Sequence, residues 1–123
     1  MERAIGSSWK TEPLPVQRRE LNYRRSFNQC EFERVAFGLV PGQMEDKWFV
    51  LFEESWLFFY RSWTGYCIYG VKLAQAGDGA EVVDSWVTGD LQIYRAGQPS
   101  FDFRVLDTII DRMVSDQARG MDS

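Results

Sequence analysis

The sequence predicts an α+β domain in which a small antiparallel sheet of three to four strands follows one helix and precedes another. Ten of the nineteen aromatic residues fall between Trp48 and Tyr69, where short turns interrupt apolar runs as in a β-meander. Beyond Phe103 the apolar residues recur at helical spacing instead. Consecutive strands with helices outside them are typical of the α+β class.

The chain of 123 residues is long enough for one domain with its own core. Its first part contains Pro13 and Pro15 and has no regular apolar period, which predicts an extended arm. We therefore expect an extended N-terminal arm over residues 1–22, a single α+β domain over residues 23–118 and a tail over residues 119–123.

The first helix is predicted over residues 29–37. Asn28 can cap it, and Glu31 three positions later completes a capping box. Gly38 stands where a residue in the left-handed region often ends a helix. A short helical turn is also expected around residues 17–24.

Four segments have the composition of strands, with turn residues between them. The predicted strands cover residues 47–53, 56–61, 66–74 and 81–87. Gly65 suits a four-residue hairpin loop that contains one residue at positive φ. Ser55 stands in a tighter turn where a hairpin would more comfortably place glycine.

The last element is predicted as an amphipathic helix over residues 102–117, which Ser100 or Asp102 can cap. Its apolar positions share one face and lie opposite charged residues. They are Leu106, Ile109, Ile110, Met113 and Val114.

Both faces of the predicted sheet are apolar. In the first strand Trp48, Val50 and Phe52 point to one side, whereas Phe49 and Leu51 point to the other. A sheet with a solvated face would alternate with polar residues, so both faces must be covered. The cover is either internal, with one helix on each face or the arm folded across, or it is a partner protein, a second copy of the chain or a ligand.

Charge is distributed unevenly along the chain. Residues 1–25 carry six basic and three acidic groups, which leaves eight bases and fifteen acids for the remainder. An acidic body argues against binding to nucleic acid and suits a basic protein partner better.

The chain has no histidine, which removes the most common general base and most transition-metal sites. Cys30 and Cys67 are too few for a structural zinc cage, and we expect both to be reduced thiols. No apolar run has the length of a signal peptide or a membrane span. We expect a cytoplasmic protein with no membrane association, no metal and no cofactor.

The loop from Arg61 to Tyr66 is the densest group of polar and aromatic residues. Its arginine and hydroxyls can hold a phosphate or carboxylate while Trp63 stacks on a flat ring. Alternatively, Ser62 and Thr64 bond to turn amides and Trp63 packs over the sheet edge. We assign no catalytic residue. The candidate binding residues are Trp48, Arg61, Ser62, Trp63, Thr64, Tyr66 and Tyr69.

Two segments, Asp46-Lys47-Trp48-Phe49 and Arg61-Ser62-Trp63-Thr64-Gly65-Tyr66-Cys67-Ile68-Tyr69, resemble a group of small bacterial domains of unknown function. The resemblance covers about residues 45–73. It implies that the Arg-Ser-Trp-Thr-Gly block is the signature of the domain, and it carries over no catalytic residues.

Two functions fit these observations. The first is a non-enzymatic protein–protein interaction module, such as an immunity protein, an antitoxin or a counter-defence inhibitor in a bacterial or phage setting. Its partner would be another protein or a second copy of the chain. The alternative is a domain that binds a small nucleotide or ADP-ribose-like ligand at the Arg61–Tyr66 loop, with hydrolysis by a carboxylate as a further step.

Overall fold

The structure is a computed structural model that describes residues 3–42, 46–94 and 98–122, with side chains described up to residue 115. Within these residues it contains six strands and two helices. The elements are β1 Arg18–Glu20, β2 Ser26–Phe27, α1 Gln29–Phe37, β3 Trp48–Glu53, β4 Trp56–Arg61, β5 Cys67–Ala76, β6 Gly79–Thr88 and α2 Pro99–Asp122.

The strands form one antiparallel sheet in the order β1-β6-β5-β4-β3, and β2 also pairs with β6. The α+β class is therefore confirmed, whereas three to four strands was an underestimate. The additional strands, β1 and β2, are only three and two residues long. Their backbone pairing depends on β6, about sixty residues further along the chain, and not on a local apolar pattern.

The helical turn expected around residues 17–24 is wrong, because β1 lies there and Asn22 adopts a positive φ of 60°. The strand also falls inside the segment that the sequence assigned to the arm. Similarly, α2 continues through most of the predicted tail to Asp122. Residues 1, 2 and 123 lie outside the described part of the chain.

Helix α1 has the predicted bounds and the predicted capping box. The Asn28 side chain accepts a hydrogen bond from the Glu31 backbone N–H, and the Glu31 carboxylate accepts one from the Asn28 N–H. Helix α2 begins at Pro99, earlier than predicted, because proline is well suited to the first helical position. Asp102 therefore lies inside the first turn and is not the cap.

The meander follows the predicted strand positions with small shifts at the ends. Glu54 and Ser55 join β3 to β4 at φ values of 51° and 74°, so Ser55 adopts the backbone conformation that favours glycine. The pairing of β4 with β5 contains a register shift between Phe59 and Tyr60. This irregularity turns Cys67 towards one face of the sheet and Tyr69 towards the other.

Both helices pack on the same face of the sheet, so the expectation of one helix on each face is wrong. This face includes Phe59 and Tyr69 and is covered by Val35 of α1 and Leu106 and Ile110 of α2. Helices α1 and α2 also contact each other on this face.

The opposite face is covered in part by the N-terminal arm, as the alternative predicted. Ala4 and Trp9 pack there on Phe49 and Tyr60. Further along this face Trp56 stacks on Phe58, with 6.1 Å between the ring centroids and 9° between the ring planes. The N-terminal arm and the stacked pair of Trp56 and Phe58 together shield the second apolar face of the sheet.

No helix in the described residues has the length and apolar character needed to cross a membrane.

Candidate functional site

The loop between β4 and β5 is held by backbone hydrogen bonds at both ends. The Gly65 N–H donates to the Arg61 carbonyl at 2.8 Å, and the Arg61 N–H donates to the Tyr66 carbonyl at 2.9 Å. Gly65 has a φ of 80°, and a Cβ at this position would lie 3.0 Å from the Lys10 carbonyl oxygen. Glycine is therefore required for its conformation and for the close approach of the arm.

Ser62 is a structural residue of this loop. Its hydroxyl donates to the Asp46 carbonyl at 2.8 Å, and its N–H donates to the Lys47 carbonyl at 2.9 Å. Its own carbonyl accepts a 2.8 Å hydrogen bond from Trp9 Nε1. Ser62 is buried, and these bonds fix the loop to the segment just before β3 and to the arm.

The tip of the loop presents Trp63 to solvent. The Trp63 side chain is 77% exposed and Tyr66 is 38% exposed. Thr64 is also exposed, and its hydroxyl accepts a 3.3 Å hydrogen bond from the Tyr66 N–H. The prediction that these hydroxyls bond to turn amides is therefore confirmed for Thr64 and wrong for Ser62, whose hydroxyl donates to the Asp46 carbonyl. The exposed Trp63 does not fold back into the core.

A cavity of about 370 Å³ lies beside Trp63 and is lined by Lys47, Arg61, Thr64 and Ile93 in addition to the indole. No carboxylate of a described residue forms an ion pair with Lys47 or Arg61. Two cations beside an exposed indole can bind an anionic group next to an apolar or flat one. We call these five residues the Trp63 surface.

A chain of aromatic contacts supports Arg61 from behind. The Arg61 guanidinium lies 4.8 Å from the ring centroid of Trp48, and Trp48 lies 5.9 Å from Tyr69. Stacking on Trp48 orients the guanidinium without neutralising its charge. Trp48 thus contributes to the site by positioning Arg61.

Behind Trp48 lies a group that consists of the buried residues Tyr69 and Asp102 and the half-buried Tyr94. Both tyrosine hydroxyls donate to Asp102 Oδ1 at 2.7 Å, and the two hydroxyls are 3.1 Å apart. Burial, followed by these hydrogen bonds, raises the pKa of Tyr69. Burial also raises the pKa of Tyr94, although the charge of Arg61 acts in the opposite direction. Asp102 lies in the first turn of α2, where the helix dipole favours a negative charge.

The structure brings together only some of the predicted binding residues. Arg61, Trp63 and Thr64 line one cavity. Tyr66 lies outside its lining, and Tyr69 is fully buried, so Tyr69 acts on a ligand only through its neighbours.

Sequence reasoning missed Lys47 and Ile93. Trp48 pairs with Arg61 across the hairpin, so the strand register places Lys47 next to the loop. That register was a usable signal for Lys47. Ile93 lies in an irregular segment far along the chain, where no local pattern indicates its position.

Other reactive groups do not form a site in the described part of the chain. Cys67 is buried, and burial raises the pKa of its thiol, whereas Cys30 is exposed. Asp107 and Asp111 lie on the exposed face of helix α2 and bind Arg25 at 3.2 and 2.7 Å. Among the described residues no group of three or more acidic or cysteine side chains is arranged to hold a metal ion.

Comparisons of the chain with protein-family models, with curated proteins and with solved structures gave no match.

Proposed function

We propose that this protein is a non-enzymatic binding module that recognises another protein through the Trp63 surface. The observation that carries the proposal is the 77% exposure of Trp63 at the tip of a loop that is held by backbone hydrogen bonds. Tryptophan is among the residues that contribute most to protein interfaces, because it buries a large apolar area and has few rotatable bonds.

The loop is organised before it meets a partner. Ser62 bonds to the segment just before β3, and Trp9 bonds to Ser62 from the arm. Ordering a loop on binding costs free energy, so a loop that is already fixed favours tight association. This rigidity supports a recognition role for the exposed indole.

The charge of the Trp63 surface is opposite to that of the chain. Lys47 and Arg61 lie there, whereas the whole chain has a net charge of −4. The Trp63 surface therefore favours a partner with acidic groups around an apolar contact, whereas the acidic remainder of the chain favours basic groups.

The finer role that we propose is binding and neutralising a second protein in the cytoplasm, as an immunity protein, an antitoxin or a counter-defence inhibitor does. The small size of the chain and the resemblance of residues 45–73 to small bacterial domains support this proposal. The absence of histidine from the sequence and the burial of Cys67 agree with a role in binding, because they remove the usual general base and a reactive thiol.

A differential capture experiment tests the proposal. The tagged full chain, Trp63→Ala and Val83→Ala are each used to capture proteins from lysate of the native host, followed by quantitative mass spectrometry. Val83 is 41% exposed on β6 and serves as the control for loss of an exposed apolar residue. We expect one protein to be retained by the wild type and by Val83→Ala and lost with Trp63→Ala. Equal capture by all three proteins would contradict the role of Trp63.

The second candidate function is binding of a small nucleotide or ADP-ribose-like ligand, which the 370 Å³ cavity favours because ligand sites begin at about this size. A ligand at 100 times its Kd would stabilise the fold by about 2.7 kcal/mol. Thermal unfolding with a panel of nucleotides and ADP-ribose derivatives should then show a rise in Tm that Trp63→Ala removes. A panel without any shift would exclude this candidate.

A further inference from the structure

A second groove lies between helix α2 and strand β3, which is an outer strand of the sheet. It has a volume of about 330 Å³. We call it the β3–α2 groove. Its described lining consists of Leu39, Trp48, Arg104, Val105, Thr108, Ile109 and Arg112.

One wall of the groove is a row of residues on α2. Arg104, Thr108 and Arg112 are spaced four residues apart, so they lie on one side of the helix. Their Cα atoms span about 12 Å, because each residue of a helix advances by about 1.5 Å. Val105 and Ile109 lie beside this row, so an arginine stands at each end of an apolar middle.

The groove is cationic in a chain of net charge −4. Arg104 makes no ion pair with a described carboxylate. Arg112 binds Asp46 at 2.9 Å, yet 46% of its side chain remains exposed. Arg61 adds a third guanidinium over Trp48, at 4.8 Å from the ring centroid.

Two stacked residues, Trp48 and Arg61, connect the groove to the Trp63 surface. Trp48 lines the groove, while Arg61, stacked on Trp48, lines the cavity beside Trp63. One partner can therefore cover both, with the stacked pair between its two contacts.

We infer that the β3–α2 groove binds an acidic segment of the partner protein that carries an apolar side chain between its carboxylates. The inference rests on the proposed function and adds the chemistry of the partner. The apolar side chain packs on Trp48 and Ile109, and the carboxylates meet Arg104 and Arg112. An extended segment of about four residues matches the 12 Å between the two arginines.

A peptide fits this groove better than a nucleic acid does. A continuous run of phosphates would place charged groups against Val105 and Ile109 in the apolar middle of the groove, where burying a charge is costly. A peptide, in contrast, alternates charged and apolar side chains, as the groove does.

Selection from a random dodecapeptide library displayed on phage, with the full chain as the target, tests this inference. We expect the enriched peptides to carry acidic residues around an apolar one. Fluorescence anisotropy with the most enriched peptide should then show about tenfold weaker binding to Arg104→Glu. Arg19→Glu, a matched charge reversal at an exposed position of β1, should bind like the wild type. Arg104→Gln, which removes the charge without reversing it, should show a smaller loss in the same direction.

Four results of the peptide and DNA binding experiments would overturn the inference. They are a selection without enrichment, enriched peptides without an acidic bias, equal binding to Arg104→Glu and wild type, and tighter binding of a single-stranded DNA dodecamer than of the peptide. The capture experiment separates the two claims. If Trp63→Ala loses the host protein and Arg104→Glu retains it, the proposed function stands and only the role of the groove is overturned.

Discussion

Removal of the Tyr69 hydroxyl tests whether the hydrogen-bonded group behind Trp48 stabilises the site. This hydroxyl donates to Asp102 Oδ1 at 2.7 Å and lies 3.1 Å from the Tyr94 hydroxyl. Neither Tyr69 nor Asp102 has exposed surface. In Tyr69→Phe no water can replace the lost donor without a rearrangement of the core.

The expected loss follows from the type of hydrogen bond. A hydrogen bond to a charged group contributes about 1.5–3 kcal/mol to stability. Asp102 keeps the Tyr94 hydroxyl as a donor, and phenylalanine keeps the ring contacts of Tyr69 with Trp48 and Phe59. We therefore expect Tyr69→Phe to lower the free energy of unfolding by about 2 kcal/mol.

Urea unfolding followed by far-UV circular dichroism measures this loss, and the slope of the transition should not change. Tyr66→Phe is the matched control, because Tyr66 is 38% exposed and its hydroxyl has no described partner. We expect the control to stay within about 0.5 kcal/mol of the wild type. A loss for Tyr69→Phe no larger than that of the control would refute the role of the buried hydroxyl.

Three further predictions concern the interior. A thiol reagent should modify Cys30 and not Cys67 in the native protein, because burial hides the Cys67 thiol and raises its pKa; modification of both would contradict this. Gly70→Ala should lower the free energy of unfolding by about 1–3 kcal/mol. A Cβ at Gly70 would lie 2.3 Å from the Trp86 ring, and unchanged stability in urea would contradict that packing. Burial raises the pKa of Tyr60 from 10.0 to about 12, so the unfolded chain releases this proton first. Stability in urea should therefore fall as the pH rises from 10 towards 12, and a constant value would contradict the shift.

The sequence predicts those parts of the fold that depend on local interactions. Helix α1 is fixed by the Asn28 cap and by Glu31 three residues later, and both act within a single turn. The long strands are likewise indicated by dense apolar residues between turn residues. Strand β1, in contrast, exists because β6 lies beside it, and its three exposed residues give no local sign of a strand.

The arrangement of the helices could not be derived from their apolar faces. An amphipathic helix packs equally well on either face of a sheet with two apolar faces, so the sequence alone leaves the choice open. The packing of Trp9 on the opposite face could not be predicted either, because no local pattern around a single tryptophan in an arm indicates which surface it contacts. Asp102 was predicted as a possible cap, whereas its carboxylate accepts hydrogen bonds from Tyr94, eight residues earlier, and from Tyr69, 33 residues earlier on β5.

Much of the candidate site was predicted from the turn itself. Gly65 and the surrounding polar residues indicate the hairpin loop, and the exposed position of Trp63 follows from its place at the tip. The bulge between Phe59 and Tyr60 has no marker in the sequence. It places Cys67 and Tyr69 on opposite faces of the sheet, although residues two apart in a regular strand share a face.

The most direct test of the account compares the free energies of unfolding of Trp63→Ala and Trp9→Ala. It asks whether the Trp63 side chain is available to a partner or is needed for folding. Trp63 is 77% exposed, so its removal should lower the free energy of unfolding by less than about 1 kcal/mol. Trp9 is half-buried on the second face and donates a hydrogen bond to Ser62, so its removal should cost about 2 kcal/mol. A loss for Trp63→Ala as large as that for Trp9→Ala would show that the indole belongs to the core and would contradict its role as the anchor of an interface.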